Sequence, residues 1–249
     1  MKRRIVGIMG AMEEEVSGVI ALLDHPEVRE IGMRKYYIAK LNSVDVVVVF
    51  SRWGKVAAAT TVSTLITEFN ITELLFTGVA GAIHPDVRIG DVVVSRAVMQ
   101  HDMDARPLMP QYVIPLHNKT FFEAPADKIE EYGKVIDSFL KEGDFDHELF
   151  AQFNIVKPRM WGGDIASGDQ FFSSNAQKKR LFDAFPTVLC VEMEGAAVAQ
   201  ICEEFGIPWI VIRTISDSAD DNSPVDFQLF IEKVAAFYAA EMIKKIIKP

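Results

Sequence analysis

The fold of this chain is determined by the stretch Val188-Leu-Cys-Val-Glu-Met-Glu-Gly-Ala-Ala-Val-Ala-Gln-Ile-Cys202 and by Ile207-Pro-Trp-Ile-Val-Ile-Arg-Thr-Ile-Ser-Asp217, which follows it. The first part opens with a short apolar run that predicts a strand, and the small helix formers from Ala196 to Ile201 predict a helix. Gly206-Ile-Pro208 ends that helix. Trp209 to Ile215 is then apolar at nearly every position, which is typical of a strand covered on both faces, as in a parallel sheet.

Three charged residues interrupt these apolar runs. Glu194 lies between the first strand and the helix, and Arg213 and Asp217 lie at the end of the second strand. Burying an isolated ion is costly or shifts its pKa, so charges at such places need partners or a role. Because ligands bind at the carboxyl ends of strands in α/β sheets, we expect the three residues to form one cluster there. The pattern equally allows a helix-terminal acid, a structural Glu–Arg pair and an exposed strand-end Asp.

Length and composition predict one soluble globular domain over residues 1–249. Of the 249 residues, 49% are hydrophobic and 24% are charged, and no linker-like stretch divides the chain. The formal net charge of −9 argues against binding to nucleic acid or to an anionic membrane surface. No segment approaches the ~18 apolar residues of a membrane span. Cys190 and Cys202 both fall in the apolar core stretch, which favours reduced thiols in a cytoplasmic protein over a disulfide framework.

The start of the chain places three consecutive glutamates at the beginning of a helix. A strand is predicted from Ile5 to Met9, and a helix from Ala11 to about Leu23. Unpaired N–H groups and the helix dipole favour acids in a first turn, which accounts for the first two glutamates. For the third, Glu15, the spacing leaves two interpretations open: another first-turn acid, or a side chain turned inward towards the carboxyl end of the strand.

The rest of the chain continues to alternate between strands and helices. The further predicted elements are a hairpin of Arg34–Leu41 and Val46–Phe50, a helix from Gly54 to Phe69, strands at Leu74–Phe76, Ile89–Ser95 and Ile155–Ile165, a loop at Ala105–Pro125, and helices at Ala126–Lys141, Ser174–Phe185 and Asp226–Ile247. The expected fold class is therefore α/β, a three-layer α/β/α sandwich with a mixed, mostly parallel central sheet. The hairpin is what makes the sheet mixed.

Two further segments have the residue types of a ligand site. Thr77-Gly-Val-Ala-Gly-Ala82 is predicted as a loop whose small residues would let backbone N–H groups approach an oxygen-rich ligand closely. It is neither a Walker loop nor a dinucleotide fingerprint. Phe171 and Phe172 follow a strand, so they are either core residues or an aromatic wall for a flat ligand. His101-Asp-Met-Asp104 sets one histidine beside two acids, but without a second histidine at ligand spacing we predict no metal site.

Six short motifs occur in an order that resembles a known family. They are Gly10-Ala-Met-Glu-Glu-Glu-Val16, Gly54-Lys-Val-Ala-Ala-Ala59, Thr77-Gly-Val-Ala-Gly81, Ser167-Gly-Asp169, Val191-Glu-Met-Glu194 and Ile215-Ser-Asp217. Together they resemble the 5'-methylthioadenosine/S-adenosylhomocysteine nucleosidases of the purine nucleoside phosphorylase-like superfamily, over nearly the whole chain. The resemblance implies hydrolysis of the N-glycosidic bond of an adenine nucleoside in methionine salvage, without a metal or an organic cofactor. It also implies a homodimer in which a loop, here carrying Ala105 and Leu108, reaches the neighbour's 5'-site.

The resemblance assigns the catalytic steps to two carboxyl groups. Glu15 is implied to activate water, and Asp217 to protonate the purine at N7, with Ser216 orienting it. The adenine anion is a poor leaving group, so an acid must protonate it as the bond breaks. This role requires that Asp217 carries a proton near neutral pH. The ribose becomes oxocarbenium-like, and carboxylates near it favour the developing positive charge.

The resemblance also implies the substrate contacts. Glu194 would hold the ribose hydroxyls beside the backbone of Met193, and Arg213 would support the water and ribose end. The remaining implied contacts are Phe171 stacking on adenine, the Phe172 backbone reading the adenine edge, Phe227 packing on the ribose and 5'-side, and Ala80 and Gly81 in the small-residue segment. Two residues depart from the family: Val79 stands where many members have Ser, so no hydroxyl helps to hold the water there, and Trp53 stands where a small aliphatic residue is usual, which narrows the pocket. The loop with Ala105 and Leu108 offers a smaller apolar surface than usual, which leaves the preferred 5'-substituent open. The segment from about 115 to 164 has no counterpart in the resemblance.

Three alternative functions remain open from the sequence. A purine nucleoside phosphorylase on the same fold would need cationic or hydroxyl groups for phosphate, whereas the first strand end carries glutamates, which repel phosphate. A hydrolase acting on aminodeoxyfutalosine, in menaquinone synthesis, shares these motifs. A nucleoside-binding protein without catalysis would bind adenine nucleosides tightly and release no adenine.

Overall fold

Strands and helices follow the alternation that the sequence predicts. The computed structural model describes residues 3–220, 227 and 230–248. The strands in this part are β1 (Ile5–Gly10), β2 (Glu27–Ile31), β3 (Arg34–Leu41), β4 (Val44–Phe50), β5 (Glu73–Ala82), β6 (Val92–Gln100), β7 (Phe121–Glu123), β8 (Met160–Ser167), β9 (Val188–Glu192) and β10 (Trp209–Asp217). The helices are α1 (Glu13–Ile20), α2 (Lys55–Phe69), α3 (Ala126–Glu142), α4 (His147–Gln152), α5 (Asn175–Ala184), α6 (Gly195–Glu204) and α7 (Ala236–Ile246), the last preceded by a π-helical turn at Ile231–Ala235.

These strands form one mixed sheet that curls back on itself. Its open end runs β2-β3-β4-β1-β5, and β10, β6, β8 and β9 continue it from β5. The longer pairings are parallel, between β1 and β4, β5 and β10, and β6 and β8. β9 then pairs with the end of β5 through Gly81 and Ala82, which closes β5, β10, β6, β8 and β9 into a ring. This mixed sheet with helices packed on it confirms the predicted α/β class.

The two strands at the centre of the sheet are buried along their whole length. Every residue of β5 and of β10 is buried, as the continuous apolar run from Trp209 predicts. Helices cover the sheet: α1 packs against α7, α2 against α6, and α3 against α7, β6 and β8. Cys190 and Cys202 are free thiols in this core. None of the helices in the described part of the chain combines the length and hydropathy that crossing a bilayer requires.

The prediction of a loop at Thr77–Ala82 is wrong. β5 continues through this segment because strands pair with it on both sides: Arg213 to Ile215 of β10 lie opposite Gly78 to Ala80, and Val191 of β9 lies opposite Gly81. The small residues therefore do not bend the chain. They let neighbouring side chains approach the strand closely, a role of glycine within strands that local sequence does not separate from a turn.

Smaller differences concern short or exposed elements. β2 is an exposed strand that the sequence did not indicate, held by antiparallel pairing with β3. The segment 105–125 is largely loop, as predicted, but includes β7, which pairs with β6. The short helix α4 was also not predicted, although Asp146 caps it through bonds from Glu148 N and Leu149 N. The predicted start of the last helix at Asp226 lies outside the described residues.

Candidate active site

A cavity of about 420 Å³ opens where the carboxyl ends of β1, β5, β8, β9 and β10 meet. This size suits a small organic ligand. Nine of the residues that the sequence singled out line it: Glu15, Ala80, Gly81, Phe171, Phe172, Met193, Glu194, Asp217 and Phe227. The other two, Arg213 and Ser216, are buried directly behind its wall, where each bonds to a lining carboxyl group. The fold therefore brings together residues that are up to about 200 positions apart in the chain.

Glu15 points inward from the first turn of α1 and is only 3% exposed. Its Oε2 accepts hydrogen bonds from Ala11 N at 2.6 Å and Met12 N at 3.0 Å, and its Oε1 accepts one from Val79 N at 2.9 Å. The inward interpretation is thus confirmed, and the same carboxyl group also binds the free N–H groups that precede the helix. Burial raises the pKa of Glu15, against the opposing effect of the Arg213 charge and the three backbone donors.

Asp217 lies at the end of β10, is 2% exposed and has a bonding partner on each carboxyl oxygen. Ser216 Oγ donates to Oδ2 at 2.8 Å, and Ala219 N donates to Oδ1 at 2.8 Å. The register between β10 and β5 shifts between Ile215 and Asp217, a bulge of the kind that re-aims side chains next to sites. Gly81 gives the carboxyl group its space, because a Cβ at that position would lie 2.8 Å from Oδ1.

Glu194 precedes the first residue of α6 and is 5% exposed. Its side chain does not cap its own helix; instead Oε1 accepts a hydrogen bond of 2.7 Å from Gly54 N, at the turn before α2. Gly54 has φ +90°, a conformation that favours glycine. Burial, with the nearby charge of Glu192 as the second cause, raises the pKa of Glu194 to about 8.

Arg213 forms its ion pair with Glu192, so a structural Glu–Arg pair is present at the site. Its Nη2 lies 2.6 Å from Glu192 Oε2, both side chains are buried, and the guanidinium lies 4.0 Å from the centre of the Phe76 ring. Sequence reasoning missed Glu192. The signal that could have found it is a carboxylate ending an apolar strand, which needs a buried cation.

Aromatic side chains form one wall of the cavity. Phe171 is 42% exposed and meets Phe227 edge to face, with ring centres 5.3 Å apart. Phe172 is buried, and its ring contacts His101 edge-on at 5.0 Å. Phe171 therefore forms part of an aromatic wall of the cavity, whereas Phe172 both lines the cavity and belongs to the hydrophobic core. Trp53 lines the cavity but is 65% exposed, so it lies at the mouth.

The segment that begins at His101 holds loops together. Asp102 accepts hydrogen bonds from Lys55 Nζ at 2.6 Å and from Asp169 N at 2.9 Å, which connects the first residue of α2 to the loop after β8. Burial lowers the pKa of His101, whose ring packs on Phe172. Among residues 3–220, 227 and 230–248, no three or more His, Cys, Asp or Glu side chains are grouped as metal ligands.

Comparison with known proteins agrees with this architecture. A family model described as the phosphorylase superfamily matches residues 5–248. The 5'-methylthioadenosine/S-adenosylhomocysteine nucleosidase of Shewanella oneidensis is 34% identical over 243 residues, 98% of this chain and 96% of that protein. The crystal structure of the nucleosidase of the same name from Neisseria meningitidis, in complex with methylthio-immucillin-A, has a TM-score of 0.87 at 30% identity, covering 98% of this chain and 99% of the other. Futalosine hydrolase of Helicobacter pylori has a TM-score of 0.81 at 32% identity, covering 98% and 97%.

These matches extend over almost the whole length of this chain and of each protein compared with it. They show both the superfamily and the family of this chain. The chain belongs to the phosphorylase superfamily and, within it, to the family of the 5'-methylthioadenosine/S-adenosylhomocysteine nucleosidases. The family resemblance that the six motifs suggested is thereby confirmed.

Proposed function

We propose that this protein is a nucleosidase that hydrolyses the N-glycosidic bond of 5'-methylthioadenosine and S-adenosylhomocysteine, releasing adenine and the 5-thio-substituted ribose. The observation that carries the proposal is the convergence of Glu15, Glu194 and Asp217 on one cavity, in a chain whose relatives are nucleosidases of that name. General acid and base steps typically contribute ~10²–10⁴-fold each.

Asp217 is the proposed acid. As the glycosidic bond breaks, the Asp217 carboxyl group donates its proton to the purine N7, and the bonding electrons leave with adenine. Ser216 Oγ at Oδ2 and Ala219 N at Oδ1 fix the orientation of the carboxyl plane, which supports this role. A group held in this way is positioned before the substrate arrives, so little reorganisation is needed in the transition state.

Glu15 and Glu194 are the proposed partners of the electron-poor ribose. Glu15 accepts a proton from the attacking water, and Glu194 accepts hydrogen bonds from the ribose hydroxyls. In their ionised forms, both groups also stabilise the positive charge that develops on the ring. Their burial supports this, because charge–charge interactions are stronger where water is excluded.

Hydrolysis is favoured over phosphorolysis by the charges in the cavity. Among the described residues that line it, none is a lysine or an arginine, and Arg213 behind the wall is already paired with Glu192. A phosphate dianion would meet Glu15 and Glu194 without a free cation to balance it.

Aminodeoxyfutalosine hydrolysis is the second candidate function. The observation that favours it is the structural likeness to a futalosine hydrolase, with 32% identity and a TM-score of 0.81. The two candidate substrates differ in their 5'-substituents. Trp53 lies exposed at the mouth of the cavity, so the 5'-substituent is the part of the substrate that would decide between the two functions.

The proposal extends to the setting in which the enzyme works. A role in methionine salvage follows from the proposed substrates. A cytoplasmic location is supported by the two free, buried cysteines, Cys190 and Cys202. A homodimer is supported by the loop that carries Ala105 and Leu108, because the apolar Leu108 side chain is 89% exposed and could be covered by a second copy of the chain.

The test is to incubate the protein with 5'-methylthioadenosine, S-adenosylhomocysteine and aminodeoxyfutalosine, with and without phosphate, and to measure adenine and the sugar product. We expect adenine and free thioribose from the first two nucleosides. Glu15→Gln and Asp217→Asn should abolish adenine release in a folded protein, whereas the control Glu14→Gln, at an exposed position one residue away, should not. Pentose 1-phosphate as the product would contradict hydrolysis, and full turnover by either site variant would contradict the assigned role.

A further inference from the structure

Glu192 accepts five hydrogen bonds at the site, although it takes no part in the proposed proton transfers. Arg213 Nη2 donates to its Oε2 at 2.6 Å, Gly195 N donates to both oxygens at 2.9 Å, and Glu194 N donates to Oε2 at 3.1 Å. Ser167 Oγ donates to Oε1 in a short hydrogen bond. The side chain is buried, and the residue lines the cavity.

These bonds place Glu192 at the start of α6, where backbone N–H groups lack partners within the helix. Glu192 binds the N–H groups of Glu194 and Gly195, and Ser167 Oγ accepts the next one, from Ala196, at 2.8 Å. A residue in the position of Glu194 would ordinarily cap the helix with its own side chain. Because Glu192 and Ser167 do so instead, the carboxylate of Glu194 is free to face the cavity and to bond Gly54 N.

The same carboxylate binds the buried cation of the site. Arg213, on β10, faces Glu15 from α1, Glu192 from β9, and Glu194. Its salt bridge goes to Glu192, and within the described chain no salt bridge joins it to Glu15 or Glu194. His101, just after β6, is a further titratable group near Glu192, and burial lowers its pKa. Burial is the larger cause of the raised pKa of Glu194, and the negative charge of Glu192 is the second.

We propose that Glu192 is a positioning residue of the hydrolytic site: it holds the start of α6 and the Arg213 guanidinium together, which leaves Glu194 free for the ribose and Glu15 free of a salt bridge. This inference rests on the proposed function and adds to it a residue that does not touch the reacting atoms. Without the charge of Glu192, the Arg213 guanidinium would interact more strongly with the carboxylates of Glu15 and Glu194. Both would become weaker bases, and the shift would appear in the pH dependence of the reaction.

The experiment compares three variants in adenine release from 5'-methylthioadenosine across pH, together with their thermal unfolding. Glu192→Gln keeps the shape of the side chain and removes its charge. We expect its kcat to fall on the order of 10²-fold and the ascending limb of its kcat/KM profile to move to lower pH by about one unit. Glu192→Asp keeps the charge on a shorter side chain. The ascending limb of its profile should therefore stay at the wild-type pH, and its kcat should lie between that of the wild type and that of Glu192→Gln.

Ser167→Ala is the matched control, because it removes one bond to Glu192 and the bond from Ala196 without changing charge. It should lower the melting temperature and leave the limb in place. A Glu192→Gln profile that keeps the wild-type limb would overturn the proposal and leave Glu192 a purely structural residue. If that variant does not fold, Glu192→Asp carries the test, and a wild-type kcat in it would equally overturn the proposal. Wild-type protein that releases no adenine from any of the three nucleosides would instead contradict the proposed function.

Discussion

Gly78→Ala tests whether the closeness of β5 to Glu15 determines activity. Gly78 lies in the middle of β5, and a Cβ built on it would lie 2.7 Å from Glu15 Oε1, 3.0 Å from Glu15 Cδ and 3.2 Å from Arg213 Nη1. Its φ is not in the left-handed region, so the backbone accepts alanine without strain. The whole effect of the substitution therefore falls on two buried charged side chains.

The size of the effect follows from the contact distances. Ordinary van der Waals contact begins at 3.4 Å, so the Glu15 carboxylate must move by about 0.7 Å. Such a movement disturbs the 2.9 Å hydrogen bond from Val79 N. Because a misplacement of about 1 Å at a catalytic group costs on the order of 10²-fold, we expect kcat to fall roughly 10- to 100-fold. Overpacking by one methyl group should cost about 1–3 kcal/mol of stability at most, so the variant should remain folded.

Initial rates of adenine release and a thermal unfolding curve measure both effects. Gly162→Ala is the matched control, because the nearest atom to a Cβ there is Ile129 Cγ2 at 4.0 Å. The control should keep wild-type kcat and a wild-type or slightly higher melting temperature. A Gly78→Ala variant with kcat within twofold of the wild type would refute the reasoning. It would mean that the position of the Glu15 carboxylate is not critical, or that Glu15 is not the base.

Two further predictions separate stability from activity. Asp91 is buried and accepts hydrogen bonds from Arg159 N at 2.8 Å and Trp161 Nε1 at 2.9 Å on its two oxygens. Asp91→Asn should cost about 1–3 kcal/mol in chemical denaturation, because an amide NH₂ then faces a donor, while kcat stays unchanged. The second concerns Glu194, whose raised pKa means that the folded state holds a proton that the unfolded state releases. Its contribution to stability is complete at low pH and is lost as pH rises towards about 8, so Glu194→Gln should flatten the fall of the melting temperature over that range.

Elements with strong local patterns could be predicted from the sequence. The hairpin of β3 and β4, the buried strand β10 and the helix α6 follow from apolar periodicity and from glycine and proline at their ends. Thr77–Ala82 could not be predicted, because what keeps it extended is pairing with strands more than 100 residues later. Local composition carries no information about such partners, and small residues are common in both turns and tightly packed strands.

The site residues, too, could be predicted where the local sequence pattern was sufficient, and could not where their role depends on residues far away in the chain. Glu194 and Asp217 stood out because each interrupts an apolar run, and both line the cavity. Glu15 was ambiguous, because the first turn of a helix suits an acid whether or not it points inward. Glu192 was missed, because its meaning depends on Arg213, which reaches it only through the ring in which β9 and β10 both pair with β5.

The balance of buried charge explains why this site can favour the transition state over the substrate. Four buried carboxyl groups border the cavity, those of Glu15, Glu192, Glu194 and Asp217, while Arg213 is the fully buried cation among the described residues. Burying these carboxyl groups in charged form is unfavourable: burial raises the pKa of Glu15 and of Glu194, and the nearby charge of Glu192 adds to the effect on Glu194. A neutral nucleoside relieves little of that cost, whereas positive charge developing on the ribose relieves it directly. The interaction thus becomes stronger as the glycosidic bond breaks, which is the condition for binding energy to increase kcat rather than only to lower KM.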